Sequence, residues 1–488
     1  MPPISFNSIP SGTLVPFTSV EFDASRAQQG PAVKPFRGLV IGQRTSAGTV
    51  AQLTKTLVTS ADQAGEFFGR GSMLHGMAIS LFEANKLFAW DFVALDDASG
   101  TAATHTFTFT GTATAAGTIY AYVAGRRFSI GVSVGDTAND IATAVAAEIN
   151  LDDTIPATAG AATSVVTLTA RHDGTLGDDI DLRVNYFEGE ALPAGVTVAI
   201  ANPVSGATDP SNFSSVWGIL GDVTYDAIVS PYRTAAELLS LETEIEDRRG
   251  PVRQLGGYGF VCSRDTHSNT VSLGNGRNAK FVSIMGTEGA PQPTWEWAAS
   301  IAGVASASAQ VDPARPFQTL VLPKILPPSE TDIFTVQEQR LLLNDGIATY
   351  AVNADGTVAI QRLISTFQTN ALGAPDTSYL DANTAFTLDF LQYDLRRRIN
   401  STFPRHKLAN DGTNFGAGQA IVTPSIMRAF IVGIFSEWEF AGLVEGLDQF
   451  KRDLIVERNT DPNRLDILAP PDLVNQLRQT AIQIGFLL

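Results

Sequence analysis

The residues of this chain best suited to metal binding or nucleophilic catalysis are its histidines and its single cysteine. No two histidines lie four residues apart, the spacing that places two ligands on one helix face, and none flanks a pair of cysteines. Cys262 sits in the apolar run Phe260-Val261-Cys262, which indicates a core position rather than a nucleophile. The histidines are His75, His105, His172, His267 and His406. We therefore expect neither a zinc site nor a catalytic thiol.

Acidic and glycine-rich segments are the next places where chemistry would be found. Asp178, Asp179 and Asp181 form an acidic group that suggests calcium, but they lack EF-hand spacing, so we interpret the segment as an acidic turn before a strand. Glycine-rich residues 255–259 and 274–277 match neither the P-loop nor the dinucleotide fingerprint, and no G-x-S-x-G elbow occurs. The sequence predicts a protein that is not an enzyme and that has no cofactor and no metal.

A basic cluster stands out in an otherwise acidic chain. Part of it ends a predicted helix, where cations face the negative end of the helix dipole. The formal net charge of -17 repels nucleic acid, so we expect some of these side chains to contact acidic residues of a protein partner or neighbouring subunit. Helix-end compensation with a solvated loop is the alternative for each. The cluster comprises Arg396, Arg397, Arg398, Arg405 and Lys407.

Composition limits both the fold and the cellular setting. A chain of 488 residues is too long for one core of usual size, so we expect three or more domains. Only 17% of residues are charged, which predicts that part of the surface is buried against partners. One cysteine permits no intrachain disulfide, and we expect assembly in a reducing cytoplasm. We also expect no signal peptide, no transmembrane helix and no membrane insertion.

Changes of pattern divide the chain into six segments of an α/β (α+β) multidomain protein. Prolines make the first segment an extended arm in which Ile4 and Phe6 alternate with polar residues, and a Thr-, Ala- and Gly-rich stretch predicts a mostly β insertion with one helix. The predicted segments are the arm (1–35), a compact part (36–98), the insertion (99–204), a middle α/β domain (205–348), a C-terminal part (349–476) and a strand arm (477–488).

The last third of the chain carries the clearest periodicity. Thr423 and Pro424 supply an N-cap and a first-turn proline for a helix, and turn residues 459–463 separate two apolar runs typical of a β-hairpin. Ile482, Ile484 and Phe486 alternate with other residues as a terminal strand with no local partner. Both chain ends therefore favour strand addition to a neighbour's sheet.

An ordered series of motifs in this third resembles the tail sheath proteins of Mu-like contractile phages. The N-terminal Ile9-Pro10-Ser11-Gly12 and the insertion resemble the start and the outer domain of the same family. The C-terminal motifs are LISTFQTN (363–370), GAPD (373–376), PRHKLA (404–409), VTP (422–424), GLVE (442–445), NRLD (463–466) and PPDLVNQL (470–477).

The resemblance implies a structural subunit with a tube-facing core built from both chain ends and an outer β domain. Stacked hexameric rings would surround a tail tube and contract to drive it through the host envelope, without nucleotide hydrolysis. Implied partners are other copies of the chain, the tube protein, and baseplate and tail terminator proteins, in a virion tail assembled in the bacterial cytoplasm. Strand exchange would involve Ile4, Phe6, Leu454, Val456, Leu465, Ile467, Ile482, Ile484 and Phe486.

Two other functions are compatible with the sequence. The sheath of an R-type bacteriocin or of a secretion system would work by the same physics without a genome, and neighbouring capsid and terminase genes would separate these cases. A carbohydrate-binding or adhesive β-protein would need paired carboxylates or an aromatic platform in the insertion, where the aromatic residues are scattered singly along the sequence.

Overall fold

The computed structural model describes residues 34–416 and 418–487, which form a mixed α/β fold. The helices are α1 (Ala61–Phe68), α2 (Met73–Ala84), α3 (Ala138–Ile149), α4 (Ser215–Leu220), α5 (Ala235–Arg249), α6 (His267–Asn275), α7 (Thr294–Val311), α8 (Val336–Asn344), α9 (Ala382–Thr402), α10 (Pro424–Phe440) and α11 (Leu447–Asp453). The strands are β1 (Arg37–Gln43), β2 (Lys55–Val58), β3 (Ala89–Leu95), β4 (Ala102–Gly111), β5 (Gly117–Val123), β6 (Arg126–Val132), β7 (Ala157–Ala162), β8 (Val165–Asp173), β9 (Leu182–Val184), β10 (Val196–Ala201), β11 (Ala227–Val229), β12 (Tyr258–Ser263), β13 (Val282–Gly286), β14 (Ile347–Val352), β15 (Val358–Arg362), β16 (Lys407–Leu408), β17 (Ile421–Val422), β18 (Val444–Glu445), β19 (Ile455–Arg458), β20 (Leu465–Leu468) and β21 (Asp472–Leu473). These residues divide into two compact units, 35–393 with 473–487, and 394–472 with Lys34.

An eight-stranded sheet in the order β15-β14-β13-β12-β11-β1-β3-β2 lies at the centre of the larger unit. Six neighbouring strands from β14 to β3 run parallel, and the edge strands β15 and β2 are antiparallel. Strands β11, β12 and β13 are buried along their whole length, as expected for parallel strands covered on both faces. The sheet core is therefore formed by the short apolar runs at residues 38–42, 227–230 and 259–262.

Helices α2 and α7 pack closely against each other beside this sheet. Small residues of α7 allow the approach: a Cβ atom built on Gly303 would lie 2.6 Å from Cβ of Ala84. Asn85 Nδ2 donates to the carbonyl of Gly303 at 3.3 Å, which fixes the C-terminal end of α2. The uncharged, Ala-, Ser- and Gly-rich residues 297–311 thus belong to a helix that lies close against another helix.

The insertion folds as two antiparallel sheets, ordered β10-β4-β8-β7 and β6-β5-β9, with α3 packed against the larger one. Its threonine alternation has a direct cause, because alternate residues of β4 such as Phe107 and Phe109 point into the core and the threonines face outward. Thr137 and Asp140 form a capping box at the start of α3. Thr101 and Ala207 pair through two backbone hydrogen bonds of 3.0 Å, so the entering and leaving chains lie side by side.

Residues 394–472 form a smaller unit around α10. Its stripe of Met427, Ile431, Ile434 and Trp438 is buried, and Phe435 stacks on Phe450 of α11 at 3.9 Å between ring centroids. Thr423 caps α10 ahead of Pro424, as the sequence predicted. Strands β19 and β20 pair antiparallel from Ile455↔Leu468 to Arg458↔Leu465, which confirms the predicted hairpin.

The structure differs from the expected elements at two places. Residues 319–322 form no extended strand; they pair with β15 through a single bridge and three backbone hydrogen bonds, because Pro316 and Pro323 bracket a segment too short for a ladder. The described terminal residues 479–487 form neither helix nor strand in the single chain. In addition, the expected boundary at residue 349 falls inside β14, which extends the central sheet.

Candidate assembly surfaces

The C-terminal arm, residues 479–487, exposes an apolar face to solvent. Ile482, Ile484 and Phe486 are 79%, 84% and 79% exposed. Their alternation with Gln483 and Gly485 places all three on one side of an extended chain. Large side chains exposed in this way, on a segment without internal pairing, are typical of a surface that another protein covers.

The hairpin formed by β19 and β20 has an open edge on each side among the described residues, since each strand pairs only with the other. Leu454, which precedes it, is buried, Val456 and Leu465 are half-buried, and Ile467 is exposed. Arg428 of α10 donates to the carbonyls of Lys451 and Leu454 and holds the start of the hairpin. A two-stranded ribbon is only marginally stable alone, so this hairpin is a natural acceptor for further strands. Ile4 and Phe6 lie outside the described residues.

The predicted basic cluster divides into inward and outward side chains. Arg398 is 15% exposed and pairs with Asp394 at 2.8 Å and Glu437 at 2.7 Å. Asp394, which is fully buried, also accepts from Trp438 Nε1 at 2.9 Å and pairs with the more exposed Arg397 at 3.2 Å. These contacts give Arg398 a structural role within its own unit.

The rest of the basic cluster faces solvent. Arg396 and Arg405 are exposed, and Lys407 donates to Gln419 Oε1 at 2.8 Å while remaining exposed. The members of the cluster that lie at the surface are therefore Arg396, Arg397, Arg405 and Lys407.

The acidic segment that suggested calcium is engaged in hydrogen bonds and ion pairs. Asp178 accepts the backbone N–H groups of Ser205 and Gly206 at 2.8 and 2.9 Å. Asp179 binds Arg233 through two bonds of 2.7 and 2.8 Å. Among the residues the structure describes, no group of histidine, cysteine or acidic side chains is arranged to hold a metal ion.

Further ion pairs tie the insertion to the central sheet. Asp181 bridges Arg183 and Arg264, and Arg126 pairs with the buried Glu296 at 3.0 Å. Sequence reasoning missed these pairs. The available signal was position, because Arg233 and Arg264 both follow closely after predicted buried strands, where side chains converge at the carboxyl edge of a parallel sheet.

The buried histidines and cysteine serve the fold. His75 Nδ1 accepts the N–H of Gly71 at 3.0 Å, and His172 Nε2 accepts that of Met73, so both rings satisfy backbone N–H groups at the start of α2. Burial, and then the nearby Arg70 and Arg126, lower the pKa of His75 to about 4. Burial raises the pKa of the Cys262 thiol, which keeps it protonated and unreactive.

The aromatic residues of the insertion are less scattered than their sequence positions indicate. Tyr122, Tyr186 and Phe187 form one cluster with ring centroids 4.9 to 6.1 Å apart. It borders an open cleft of about 1040 Å³ whose far side is formed by Pro327 and neighbouring residues. Tyr186 Oη donates to the Pro327 carbonyl at 2.6 Å, so this aromatic side chain is engaged in holding the two walls together.

Every helix in the described part of the chain is too short or too polar to span a bilayer.

Comparison with known proteins gives one consistent result along the chain. Three families match in order: the phage tail sheath protein beta-sandwich domain at residues 98–197, the central domain at 206–366 and the C-terminal domain at 374–486. A tail sheath protein of the Mu-like prophage FluMu from Haemophilus influenzae is 40% identical over 487 residues, which is 99% of this chain and 100% of the relative.

Solved structures agree on the fold. A sheath tail protein from Desulfitobacterium hafniense superposes with a TM-score of 0.50 at 11% identity, covering 96% of this chain and 97% of that one. The helical sheath of the anti-feeding prophage in its contracted state gives a TM-score of 0.50 at 10% identity, covering 97% and 99%. The full-length identity and the three matching domains show that this chain belongs to the phage tail sheath family, as a structural subunit of a contractile tail.

Proposed function

We propose that this subunit polymerises by giving its C-terminal arm to the hairpin of a neighbouring copy. The observation that carries the proposal is the coexistence, in one chain, of an exposed apolar arm and a two-stranded hairpin with open edges. An extended segment added to such an edge gains backbone hydrogen bonds and buries alternate side chains. The N-terminal residues Ile4 and Phe6 are proposed to act in the same way at the other end of the chain.

Burial of the arm supplies a substantial driving force. Each large apolar side chain transferred from water contributes about 1.5 to 3 kcal/mol. Three such side chains on one face, Ile482, Ile484 and Phe486, offset much of the entropy lost when the arm becomes ordered. Together with the backbone hydrogen bonds to the hairpin edge, this burial favours the polymer over the free subunit.

One charge placed on either face of the arm tests this proposal. Ile484→Asp puts a carboxylate on the apolar face, and Gln483→Asp puts the same charge on the opposite face. We expect negative-stain electron microscopy to show tubes for wild type and Gln483→Asp, and folded but unassembled subunits for Ile484→Asp. Tubes formed equally well by both variants would contradict strand exchange through this face.

Contraction follows from two packings of the same subunits. We propose that hexameric rings assemble on a tail tube as a metastable polymer, and that a signal from the baseplate lets them rotate into a shorter, wider lattice without nucleotide hydrolysis. A tail terminator protein would close the far end. Exposed ion pairs are weak, about 0 to 1 kcal/mol each, which suits a surface that must slide. The outward-facing Arg397, Arg405 and Lys407 are proposed to meet acidic residues of the tube or of an adjacent subunit.

A further inference from the structure

The root of the C-terminal arm, residues 474–478, follows β21 and is held mainly by polar contacts around the half-buried Arg478. Gln476 Nε2 donates to the carbonyl of Ala314, and Gln318 Nε2 donates to that of Leu477, each at the long distance of 3.4 Å. Leu477 is 74% exposed. The strongest contact is the ion pair between Arg478 and Asp381 at 3.0 Å. Past Arg478, every described residue of the arm is exposed.

Asp381 is shared between two arginines in unequal ways. Arg362 binds it with two bonds of 3.1 Å, one to each carboxylate oxygen. Arg478 adds a single bond to Oδ1, and its other terminal nitrogen donates to Gln318 Oε1 at 3.1 Å. When Arg478 leaves, both oxygens of the Asp381 carboxylate remain bonded to Arg362. Opening this contact therefore leaves no unpaired charge on Asp381.

Release of Arg478 is partly compensated by hydration of its side chain. Burial is the main influence that lowers its pKa, and the neighbouring charge of Arg362 lowers it further, against the opposing effect of Asp381. Its Nε is buried without a hydrogen-bond partner. Transfer of this side chain to water therefore hydrates the guanidinium and separates two like charges.

We propose that Arg478 and Asp381 form a latch that holds the arm root on its own subunit and opens to lengthen the arm that reaches a second copy. The role assigned to this latch rests on the proposed strand exchange, whereas the latch itself rests only on the contacts of Arg478. Opening frees the five residues that follow β21, 474–478, which extend the reach of the arm by roughly 16 Å at about 3.3 Å per residue. If the spacing between subunits changes while the exchanged strands stay paired, the chain that links each arm to its own subunit must be able to lengthen.

The rate of tryptic cleavage after Arg478 measures how often the latch opens. Cleavage requires the Arg478 side chain to leave Asp381 and to enter the specificity pocket of the protease. In unassembled full-length chain we expect slow cleavage at Arg478 and fast cleavage at Arg464, which is 64% exposed on its side chain. Asp381→Asn should accelerate cleavage at Arg478 at least tenfold, and so should 1 M NaCl. Arg362→Gln is the matched control. Cleavage at Arg478 should remain slow in this variant, because the Asp381 carboxylate then pairs with Arg478 alone. Absence of cleavage at the fully buried Arg248 checks that each variant stays folded.

Two results would overturn the latch: wild-type cleavage at Arg478 as fast as at Arg464, or no acceleration in Asp381→Asn. The length of the root is tested separately by electron microscopy. Deleting residues 474–478 should prevent tube formation, whereas replacing them with five Gly/Ser residues should permit it. Equal behaviour of these two chains would show that slack is not the role of the root. The protease result does not depend on assembly, so failure of wild type to polymerise would count against the proposed function alone.

Discussion

At the scale of single residues, the buried acidic side chains of this subunit are paired with arginines from distant parts of the chain. Asp179 and Asp181 were visible as an acidic group, yet their partners Arg233 and Arg264 lie 54 and 83 residues away in sequence. Such pairs depend on which strands become neighbours, and no local pattern encodes that. Conversely, Cys262 was predicted to be buried because its immediate neighbours are apolar, which is local information.

His75 gives a prediction for the acid stability of the fold. Its ring is 2% exposed and accepts a hydrogen bond only when neutral, so its pKa falls from 6.5 to about 4 in the folded chain, with Asp153 and Asp62 opposing the decrease. Between these values the unfolded chain binds the proton more readily. This contribution to stability is therefore complete above about pH 6.5 and is lost as the pH falls toward 4, by about 3 kcal/mol in total.

Comparison with a variant that does not titrate isolates this contribution from that of the carboxylates. In His75→Asn the side-chain oxygen replaces Nδ1 as an acceptor, and the urea midpoint should fall less steeply from pH 6.5 to 4 than in wild type. His406→Asn, at an exposed ring, is the control and should keep the wild-type slope. Identical slopes in all three proteins would exclude His75 as an acid-sensitive group.

At the scale of elements, prediction succeeded where start signals are local. Thr423 begins a helix at the expected residue, and Thr137 and Thr234 cap helices in the same way, because a capping side chain satisfies backbone N–H groups only three residues away. The β19–β20 hairpin followed from its turn. The terminal strand could not be judged in the same way: strand formation by residues 482–486 requires a partner edge that a single chain does not supply.

Helix α7 offers an element-scale test of close packing. Gly303→Ala adds a methyl group 2.6 Å from Cβ of Ala84 and 3.3 Å from the carbonyl oxygen of Leu81, so α2 and α7 must move apart. We expect a loss of about 1 to 3 kcal/mol in the free energy of unfolding. Gly433→Ala in α10 is the matched control, since nothing lies within 4 Å of the added atom, and the helix should gain up to about 1 kcal/mol. Urea unfolding of the two variants should therefore shift in opposite directions.

At the scale of the whole molecule, the insertion has two opposite properties. Its chain ends lie side by side at Thr101 and Ala207, which makes it easy to remove without stretching the backbone. Its buried ion pairs with Arg233, Arg264 and Glu296, however, join it to the central sheet within one compact unit. That residues 99–203 fold on their own and lie on the outside of the particle remains a prediction, and these pairs determine how it must be tested.

Removing the whole insertion and substituting Asp179 alone should have different consequences, because only the substitution leaves a charged arginine buried without its partner. Asp179→Ala leaves Arg233 buried without its counter-charge, so we expect a loss of about 3 to 5 kcal/mol in stability. The double variant Asp179→Ala, Arg233→Met should recover most of that loss, because the charge is removed together with its partner.

Replacing residues 99–203 by a short Gly/Ser linker exposes Arg233 and Arg264 to water, where neither needs a partner. We therefore expect the excised chain to fold and form tubes in electron microscopy, while Asp179→Ala lowers the urea midpoint of the full chain. A folded excised chain that forms no tubes would place subunit contacts on the insertion, and an Asp179→Ala variant as stable as wild type would remove the ion pair from the forces that hold the insertion in place.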